Sequence, residues 1–112
     1  MTLPDPPPPE IDPQDLADLR TGLAPYVILD VREAWETRLA NFPEAVHIPL
    51  GSLAGGEAAL PRDRFLVVVC HHGRRSEAAT RHLRGLGFRR ATNLVGGIDA
   101  WATDVDPDMP RY

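Results

Sequence analysis

The hydrophobic positions along the chain predict short strands that alternate with helices. Phe65–Cys70 is a continuous apolar run rich in β-branched residues, which is typical of a strand buried on both faces of a sheet. Tyr26–Asp30 is a second apolar run that ends in an acid, and shorter strand candidates are Ala45–Ile48 and Ala91–Val95. Because strands and helices that alternate at this spacing form parallel sheets, we expect an α/β fold with helices on both faces of the sheet.

The helical patterns lie between these runs. The first begins at Asp12, a capping acid placed before Pro13, and ends at Gly22. Three further helices are predicted over residues 33–39, Ser76–Leu86 and Ile98–Thr103. Residues 50–64 are predicted to form a loose connection. Trp35 and Trp101 are expected in or near the core, because large aromatic side chains bury much apolar area.

The length of 112 residues corresponds to one domain. Residues 1–10 hold five of the twelve prolines, which predicts a flexible tail that samples polyproline II, with the folded domain over residues 11–112. Cys70 is the only cysteine, so neither an internal disulfide nor a four-ligand structural zinc site is expected. The sequence has no export signal and no apolar run long enough to cross a bilayer, which predicts a cytoplasmic protein without a membrane partner.

The charge is unevenly distributed along the chain. The net charge is −4, and residues 1–63 hold four arginines against eleven acids. Residues 71–90 instead carry six arginines against one acid, Glu77. A local basic segment on an acidic protein favours a small anion site over general nucleic-acid binding, and a solvated helix face is the alternative interpretation.

The strand predicted at Phe65–Cys70 leads directly into a polar turn. Its residues are Cys70, His71, His72, Gly73, Arg74, Arg75 and Ser76, and the next helix is predicted to begin at Ser76. Ligands of open parallel sheets bind beyond the carboxyl ends of the strands. A helix N-terminus and neighbouring arginines stabilise a thiolate and can hold an oxyanion. The position therefore predicts a nucleophilic Cys70, with a small buried core residue as the alternative.

Three ordered motifs make the chain resemble the rhodanese-like sulfurtransferases. The turn CHHGRRS, Cys70–Ser76, fits the family pattern C-x-x-G-x-R-S. Upstream, Leu29–Glu33 matches the family's L-D-V-R-E, and downstream Asn93–Trp101 matches its N-L-x-G-G-I-x-A-W. The resemblance runs from about Ile11 to the end of the sequence.

The resemblance implies a three-layer fold with a five-stranded parallel sheet, and it implies sulfur transfer through Cys70. The Cys70 thiolate would attack the outer sulfur of a donor such as thiosulfate and then pass that sulfur from its persulfide to a thiol or protein acceptor. The turn residues His71, His72, Gly73, Arg74, Arg75 and Ser76 would bind the substrate. Arg75 occupies the motif position and would attract the anionic donor, or it would brace the loop. Neither a metal nor an organic cofactor is implied.

Two other functions stay open on the sequence alone. Phosphatases and arsenate reductases on related folds place five residues between the cysteine and the arginine of the loop, whereas four separate Cys70 from Arg75 in this chain. The shorter loop favours a single sulfur atom over a whole phosphate. A non-catalytic binding module is the second alternative, although such family members typically lack the cysteine.

Two further features lie near the end of the strand predicted at Tyr26–Asp30 and in the segment that follows it. The family's usual histidine and second glycine are replaced by Asn41 and Glu44, which puts a buried polar contact, such as one with Glu36, in doubt. Asp30 and Arg32 are predicted to form a buried ion pair that ties the end of a strand to neighbouring loops.

Overall fold

The computed structural model describes residues 3–112 and contains a five-stranded parallel sheet. Its strands are β1 (Glu10–Ile11), β2 (Tyr26–Asp30), β3 (Val46–His47), β4 (Phe65–Val69) and β5 (Ala91–Leu94), and their order in the sheet is β1-β5-β4-β2-β3. The most apolar run, β4, lies at the centre, where every one of its residues is buried. The predicted α/β class and the five-stranded parallel sheet are confirmed.

Helices cover both faces of this sheet. They are α1 (Pro13–Thr21), α2 (Ala34–Thr37), α3 (Leu53–Gly56), α4 (Arg74–Gly85) and α5 (Gly97–Asp104), with short 3₁₀ turns at Leu50–Ser52 and Glu57–Ala59. The predicted start of α1 is confirmed, since the Asp12 carboxylate accepts the Asp15 N–H at 2.8 Å. None of the described helices is long and apolar enough to cross a membrane.

Two hydrophobic clusters fill the space between the sheet and its helices. One side packs Leu16 of α1 and Trp101 of α5 against residues such as Ile28 and Val67. The other side packs Leu83 of α4 against residues such as Val68. Alternate residues of the central strands serve opposite clusters, because successive side chains of a strand point to opposite faces. This is the predicted arrangement in three layers.

The segment predicted as a flexible tail, residues 1–10, makes hydrogen bonds in the part that the structure describes. The carbonyl of Pro7 accepts from Arg84 Nη2 at 2.8 Å, and that of Pro9 accepts from the Asn93 N–H at 2.8 Å. The segment continues into β1, a strand that the sequence did not predict. Proline lacks the N–H but keeps its carbonyl, so a proline-rich segment can still accept hydrogen bonds at a sheet edge. Residues 1 and 2 lie outside the described residues, and the domain boundary at residue 11 stays a prediction.

The prediction that Trp35 lies in or near the core is wrong. Trp35 is 57% exposed, whereas Trp101 is 3% exposed and belongs to the core as predicted. The single turn of α2 buries one residue, Glu36, which pairs with Arg75 of α4, and Trp35 beside it faces outward. The buried position of that helix is therefore taken by a carboxylate, whose partners come from elsewhere in the chain.

Candidate active site

Cys70 directly follows the carboxyl end of β4, at the start of the turn that leads into α4. The residue is 1% exposed. Its Sγ accepts the Gly73 N–H at 3.1 Å and the Ser76 N–H at 3.4 Å, and the Ser76 hydroxyl lies 3.3 Å away. Donors that converge on one sulfur, at the positive end of a twelve-residue helix, stabilise negative charge on that sulfur.

The tight turn of the loop depends on Gly73. This residue adopts φ +95°, in the left-handed region, directly before α4 begins. A Cβ atom at this position would also lie 3.0 Å from the Gly96 amide nitrogen. A side chain here is thus opposed both by the backbone conformation and by the neighbouring turn.

The first turn of α5 holds the other side of the loop. The Ile98 N–H donates to the Cys70 carbonyl at 2.9 Å, and the Asp99 N–H donates to the His71 carbonyl at 3.1 Å. Gly97, at φ +62°, permits this approach, because a Cβ atom there would overlap both carbonyl oxygens. The Gly-Gly pair of the downstream motif thus lets a helix N-terminus fix the peptides of the cysteine loop.

Ser76 and Asn93 form a buried polar pair beneath the loop. The Ser76 hydroxyl lies 2.5 Å from Asn93 Oδ1, and Asn93 Nδ2 donates to the Gly73 carbonyl at 3.2 Å. A hydroxyl has one proton to donate, and the shorter contact assigns it to Asn93. Sequence reasoning included Asn93 in a motif without assigning it a role in the site, because its partners lie on other elements.

The motif arginine, Arg75, is held by a carboxylate of α2. Arg75 Nη1 lies 2.6 Å from Glu36 Oε2 and Nη2 lies 2.7 Å from Glu36 Oε1, a two-pronged ion pair. The hydrogen bonds from Arg75 are the main cause that lowers the pKa of Glu36 from its ordinary 4.5 to about 2, against the opposing effect of burial. Both terminal nitrogens of Arg75 are thus engaged by a protein carboxylate, and the Arg75 side chain is 36% exposed.

Tyr112 joins this ion pair to a second one. Its hydroxyl donates to Glu36 Oε1 at 2.9 Å and accepts from Arg32 Nη1 at 2.8 Å. Arg32 in turn pairs with Asp30 at 2.7 Å, and both side chains are almost fully buried. The predicted buried pair of Asp30 and Arg32 is confirmed, whereas no feature of the sequence indicated that Tyr112 belongs to the same cluster.

The two histidines of the loop stack on each other outside the cysteine. The His71 ring lies between those of Tyr112 and His72, with centroids 3.9 Å from each. Burial, followed by the charge of His72, lowers the pKa of His71 below its ordinary value. Arg74 is exposed at the start of α4. Gly73 and Ser76 therefore contact the sulfur. The side chains of His71, His72 and Arg74 are not among its hydrogen-bond donors.

The two replaced family positions make contacts away from Glu36. Asn41 Nδ2 donates to the Thr37 carbonyl at 3.2 Å. Glu44 accepts from Arg20 Nε at 2.8 Å and from the Tyr26 hydroxyl at 3.0 Å. Arg20, Glu44 and Tyr26 thus form a second tyrosine–glutamate–arginine cluster, which we call the far triad. Its counterpart, which we call the loop-side triad, consists of residues Tyr112, Glu36 and Arg75.

Fold and loop together define an α/β domain with a single cysteine at the positive end of a helix. Residues 12–104 match the rhodanese-like domain family. A solved rhodanese-related protein from Thermoplasma volcanium is 32% identical, with a TM-score of 0.77 over 86% of this chain and 92% of that chain. A rhodanese-like domain protein from Staphylococcus aureus is 26% identical, with a TM-score of 0.79 over 92% of this chain and 97% of that chain. The chain belongs to the rhodanese-like domain family.

The curated relatives are longer proteins that contain this domain. The adenylyltransferase and sulfurtransferase MOCS3-2 of Zea mays is 38% identical over 95 residues, which cover 79% of this chain and 20% of that protein. The chain spans between 20% and 40% of the length of the curated relatives that it matches. The names of these relatives associate the domain with sulfur transfer in general.

Proposed function

We propose that this chain is a sulfurtransferase that carries a sulfane sulfur on Cys70. The observation that supports this most directly is the convergence of the Gly73 and Ser76 amides on Sγ, at 3.1 and 3.4 Å. These donors stabilise the thiolate that attacks and, after the attack, the charge on the sulfur that Cys70 carries. The membership of the family supports sulfur transfer as the kind of reaction.

The reaction needs no external oxidant or reductant. The Cys70 thiolate attacks the outer sulfur of thiosulfate, the sulfur–sulfur bond of the donor breaks, and the electron pair leaves with sulfite. Cys70 then carries a persulfide. A thiolate of the acceptor, a small thiol or a protein, attacks the outer sulfur of that persulfide, and the Cys70 thiolate leaves. The carrier is the persulfide itself, so the mechanism calls on no cofactor.

An anionic donor fits the charge around the loop. Of the six arginines in residues 71–90, Arg74 and Arg75 lie in the first turn of α4, beside the loop, whereas Arg84, Arg89 and Arg90 lie at or beyond the other end of that helix. Within the loop, Arg74 is exposed at the first turn of α4, while Arg75 is engaged by Glu36. We therefore assign the attraction of the donor chiefly to Arg74 and the helix N-terminus, and we assign Arg75 to bracing the loop.

The geometry favours sulfur transfer over phosphate chemistry. A phosphate loop uses the two prongs of its arginine to hold two oxygens of the tetrahedral anion. Both prongs of Arg75 already lie on the Glu36 carboxylate, at 2.6 and 2.7 Å. The loop also has one residue fewer between the cysteine and the arginine. A phosphatase or arsenate reductase is therefore the less favoured function, and a non-catalytic module would not need the amides placed on Sγ.

Intact mass spectrometry after incubation with thiosulfate tests the proposal. The wild-type chain is expected to gain the mass of one sulfur atom, and cyanide or dithiothreitol should remove it. Cys70→Ser should fold with an unchanged circular dichroism spectrum and gain nothing, because the only thiol is gone. Thiosulfate:cyanide activity in Cys70→Ser at a tenth of wild type would refute the persulfide mechanism. Hydrolysis of an aryl phosphate by the wild type, without a gain in mass, would favour the phosphatase.

A further inference from the structure

The hydroxyl of Tyr112 connects two ion pairs that come from distant parts of the chain. It accepts from Arg32 Nη1 at 2.8 Å and donates to Glu36 Oε1 at 2.9 Å. Arg32 is itself fixed, because it is buried and paired with Asp30 at 2.7 Å. The hydroxyl therefore has a fixed donor on one side, which determines that its single proton points at the Glu36 carboxylate.

That carboxylate has four donors around it. Oε1 accepts from Tyr112 and from Arg75 Nη2, and Oε2 accepts from Arg75 Nη1 and from the Glu33 N–H at 2.9 Å. With its side chain 4% exposed, Glu36 has little access to water as a substitute partner. The orientation of the carboxylate, and with it that of the Arg75 guanidinium, depends on these donors.

The ring of Tyr112 touches the cysteine loop at a second place. It stacks on His71 at a centroid distance of 3.9 Å and an interplanar angle of 11°. His71 directly follows Cys70, and its carbonyl accepts the Asp99 N–H of α5. The ring of Tyr112 therefore contacts His71, the residue after the nucleophile. Its hydroxyl is connected to Arg75 through the Glu36 carboxylate.

We propose that Tyr112 is a positioning residue for sulfur transfer: its hydroxyl orients the Glu36 carboxylate that holds Arg75, and its ring fixes His71 beside Cys70. Tyr112 does not touch the sulfur and acts through these two neighbours. This inference rests on the proposed function, because it concerns the rate at which Cys70 takes up and passes on sulfur.

The far triad supplies a matched control. The Tyr26 hydroxyl donates to Glu44 Oε2 at 3.0 Å, and Arg20 holds the same carboxylate with two nitrogens at 2.8 and 3.1 Å. Tyr26 begins β2, at the amino edge of the sheet, whereas Cys70 follows the carboxyl end of β4. Tyr26→Phe removes the same hydroxyl from the same kind of cluster, at the opposite edge.

The test compares Tyr112→Phe, Tyr112→Leu and Tyr26→Phe in single-turnover persulfidation of Cys70 by thiosulfate. Rates are divided by the folded fraction from circular dichroism, so that a less stable variant remains informative. We expect kcat/KM for thiosulfate to fall about tenfold in Tyr112→Phe, which loses a hydrogen bond to a buried charge. Tyr112→Leu should lose more, because the stack on His71 is lost as well. Tyr26→Phe should stay within about twofold of wild type.

A double-mutant cycle separates positioning from general destabilisation. If the hydroxyl acts through the carboxylate, Tyr112→Phe should have little further effect on kcat/KM once Glu36→Gln is present, while Tyr26→Phe should remain additive with Glu36→Gln. Equal rates for Tyr112→Phe and Tyr26→Phe, or additivity of Tyr112→Phe with Glu36→Gln, would overturn the inference. Absence of persulfide in the wild type would instead refute the proposed function.

Discussion

The loop-side triad and the far triad contain the same three residue types in different surroundings. In the loop-side triad the Glu36 side chain is 4% exposed, whereas the Glu44 side chain of the far triad is 34% exposed. The loop-side carboxylate is also linked through Tyr112 to the buried Arg32. We therefore expect the two triads to contribute differently to the stability of the protein, because their carboxylates differ in burial.

The arginines of the two triads also differ in what lies beneath them. Arg20 lies over the rings of Phe42 and Trp101, at 5.2 and 5.1 Å from their centroids, so its loss would remove apolar contact as well as charge. Arg75 lies in the first turn of α4, beside the loop that carries Cys70. We therefore expect loss of Arg20 to affect stability alone, and loss of Arg75 to affect both stability and function.

The largest expected effect is that of Arg75→Ala compared with Arg20→Ala. Arg75→Ala leaves the buried Glu36 carboxylate without its counterion, which should lower the free energy of unfolding by about 2–3 kcal/mol. Sulfur transfer should also fall, by the equivalent of about 2–4 kcal/mol in kcat/KM for thiosulfate, because the loop loses its brace. Arg20→Ala should cost about 1 kcal/mol and leave kcat/KM unchanged, since Glu44 can turn to water.

Urea unfolding and thiosulfate kinetics measure both effects of these arginine variants. Arg75→Lys serves as the conservative comparison, and we expect poor rescue because an ammonium cannot bind both carboxylate oxygens in the manner of a guanidinium. Equal losses of stability in the Arg75 and Arg20 variants would show that burial of the carboxylate does not separate the triads. An unchanged kcat/KM in Arg75→Ala would remove the brace from the mechanism.

Acid should act more strongly on the loop-side triad than on the far triad. The pKa of Glu36 is about 2 in the folded protein, against an ordinary 4.5, and hydrogen bonds from Arg75 are the main cause. A carboxylate whose pKa is lowered by folding stabilises the protein above its ordinary pKa. This contribution is lost as the pH falls towards the pKa of the folded state. Glu36 should therefore contribute about 3 kcal/mol above pH ~4.5, and that contribution should disappear progressively towards pH ~2.

Glu36→Gln and Glu44→Gln test this pH dependence as a pair. Burial opposes the ionisation of Glu44, but hydrogen bonds from Arg20 and Tyr26 outweigh it and lower its pKa. Because the Glu44 side chain is about a third exposed, the associated change in stability should be smaller. Urea unfolding between pH 2 and 6 should show a flatter pH profile for Glu36→Gln and a nearly wild-type profile for Glu44→Gln. A wild-type slope in Glu36→Gln would show that other carboxylates cause the acid sensitivity.

The contrast between the triads also explains how far the sequence predicted this protein. The apolar runs at β2, β4 and β5 were sufficient to predict the strands, since buried strands of a parallel sheet depend on their own residues. The two-residue strand β1, Glu10–Ile11, carries no such signal and exists by pairing with β5. Local composition therefore predicted four of the strands, including the edge strand β3, and missed β1 at the other edge.

The site divides in the same way. The turn from Cys70 to Ser76 was predicted from contiguous residues, because a strand end, a glycine and a helix start are local features. The contacts of Glu36 were not predicted, since Arg75 lies 39 residues and Tyr112 lies 76 residues away from it in sequence. Trp35 was misplaced for the same reason: its neighbour Glu36 is buried by an arginine from another element, which no periodicity within α2 can indicate.

The smallest expected effect is the response of the two ion pairs to salt. The Debye length falls from about 10 Å at 0.1 M salt to about 3 Å at 1 M, so salt screens exposed charges far more than buried ones. Double-mutant cycles of Arg20→Ala with Glu44→Ala should give a coupling of about 0.5 kcal/mol at 0.1 M salt, and this should approach zero at 1 M. The cycle of Arg75→Ala with Glu36→Ala should keep more than half of its coupling, because Glu36 is 4% exposed and takes its hydrogen bonds from protein groups. Urea unfolding at the two salt concentrations provides the stabilities for both cycles, and sodium chloride is suitable because it does not itself donate hydrogen bonds. If both couplings fell by the same fraction, Glu36 would be accessible to solvent ions, and its burial would not be what separates the two triads.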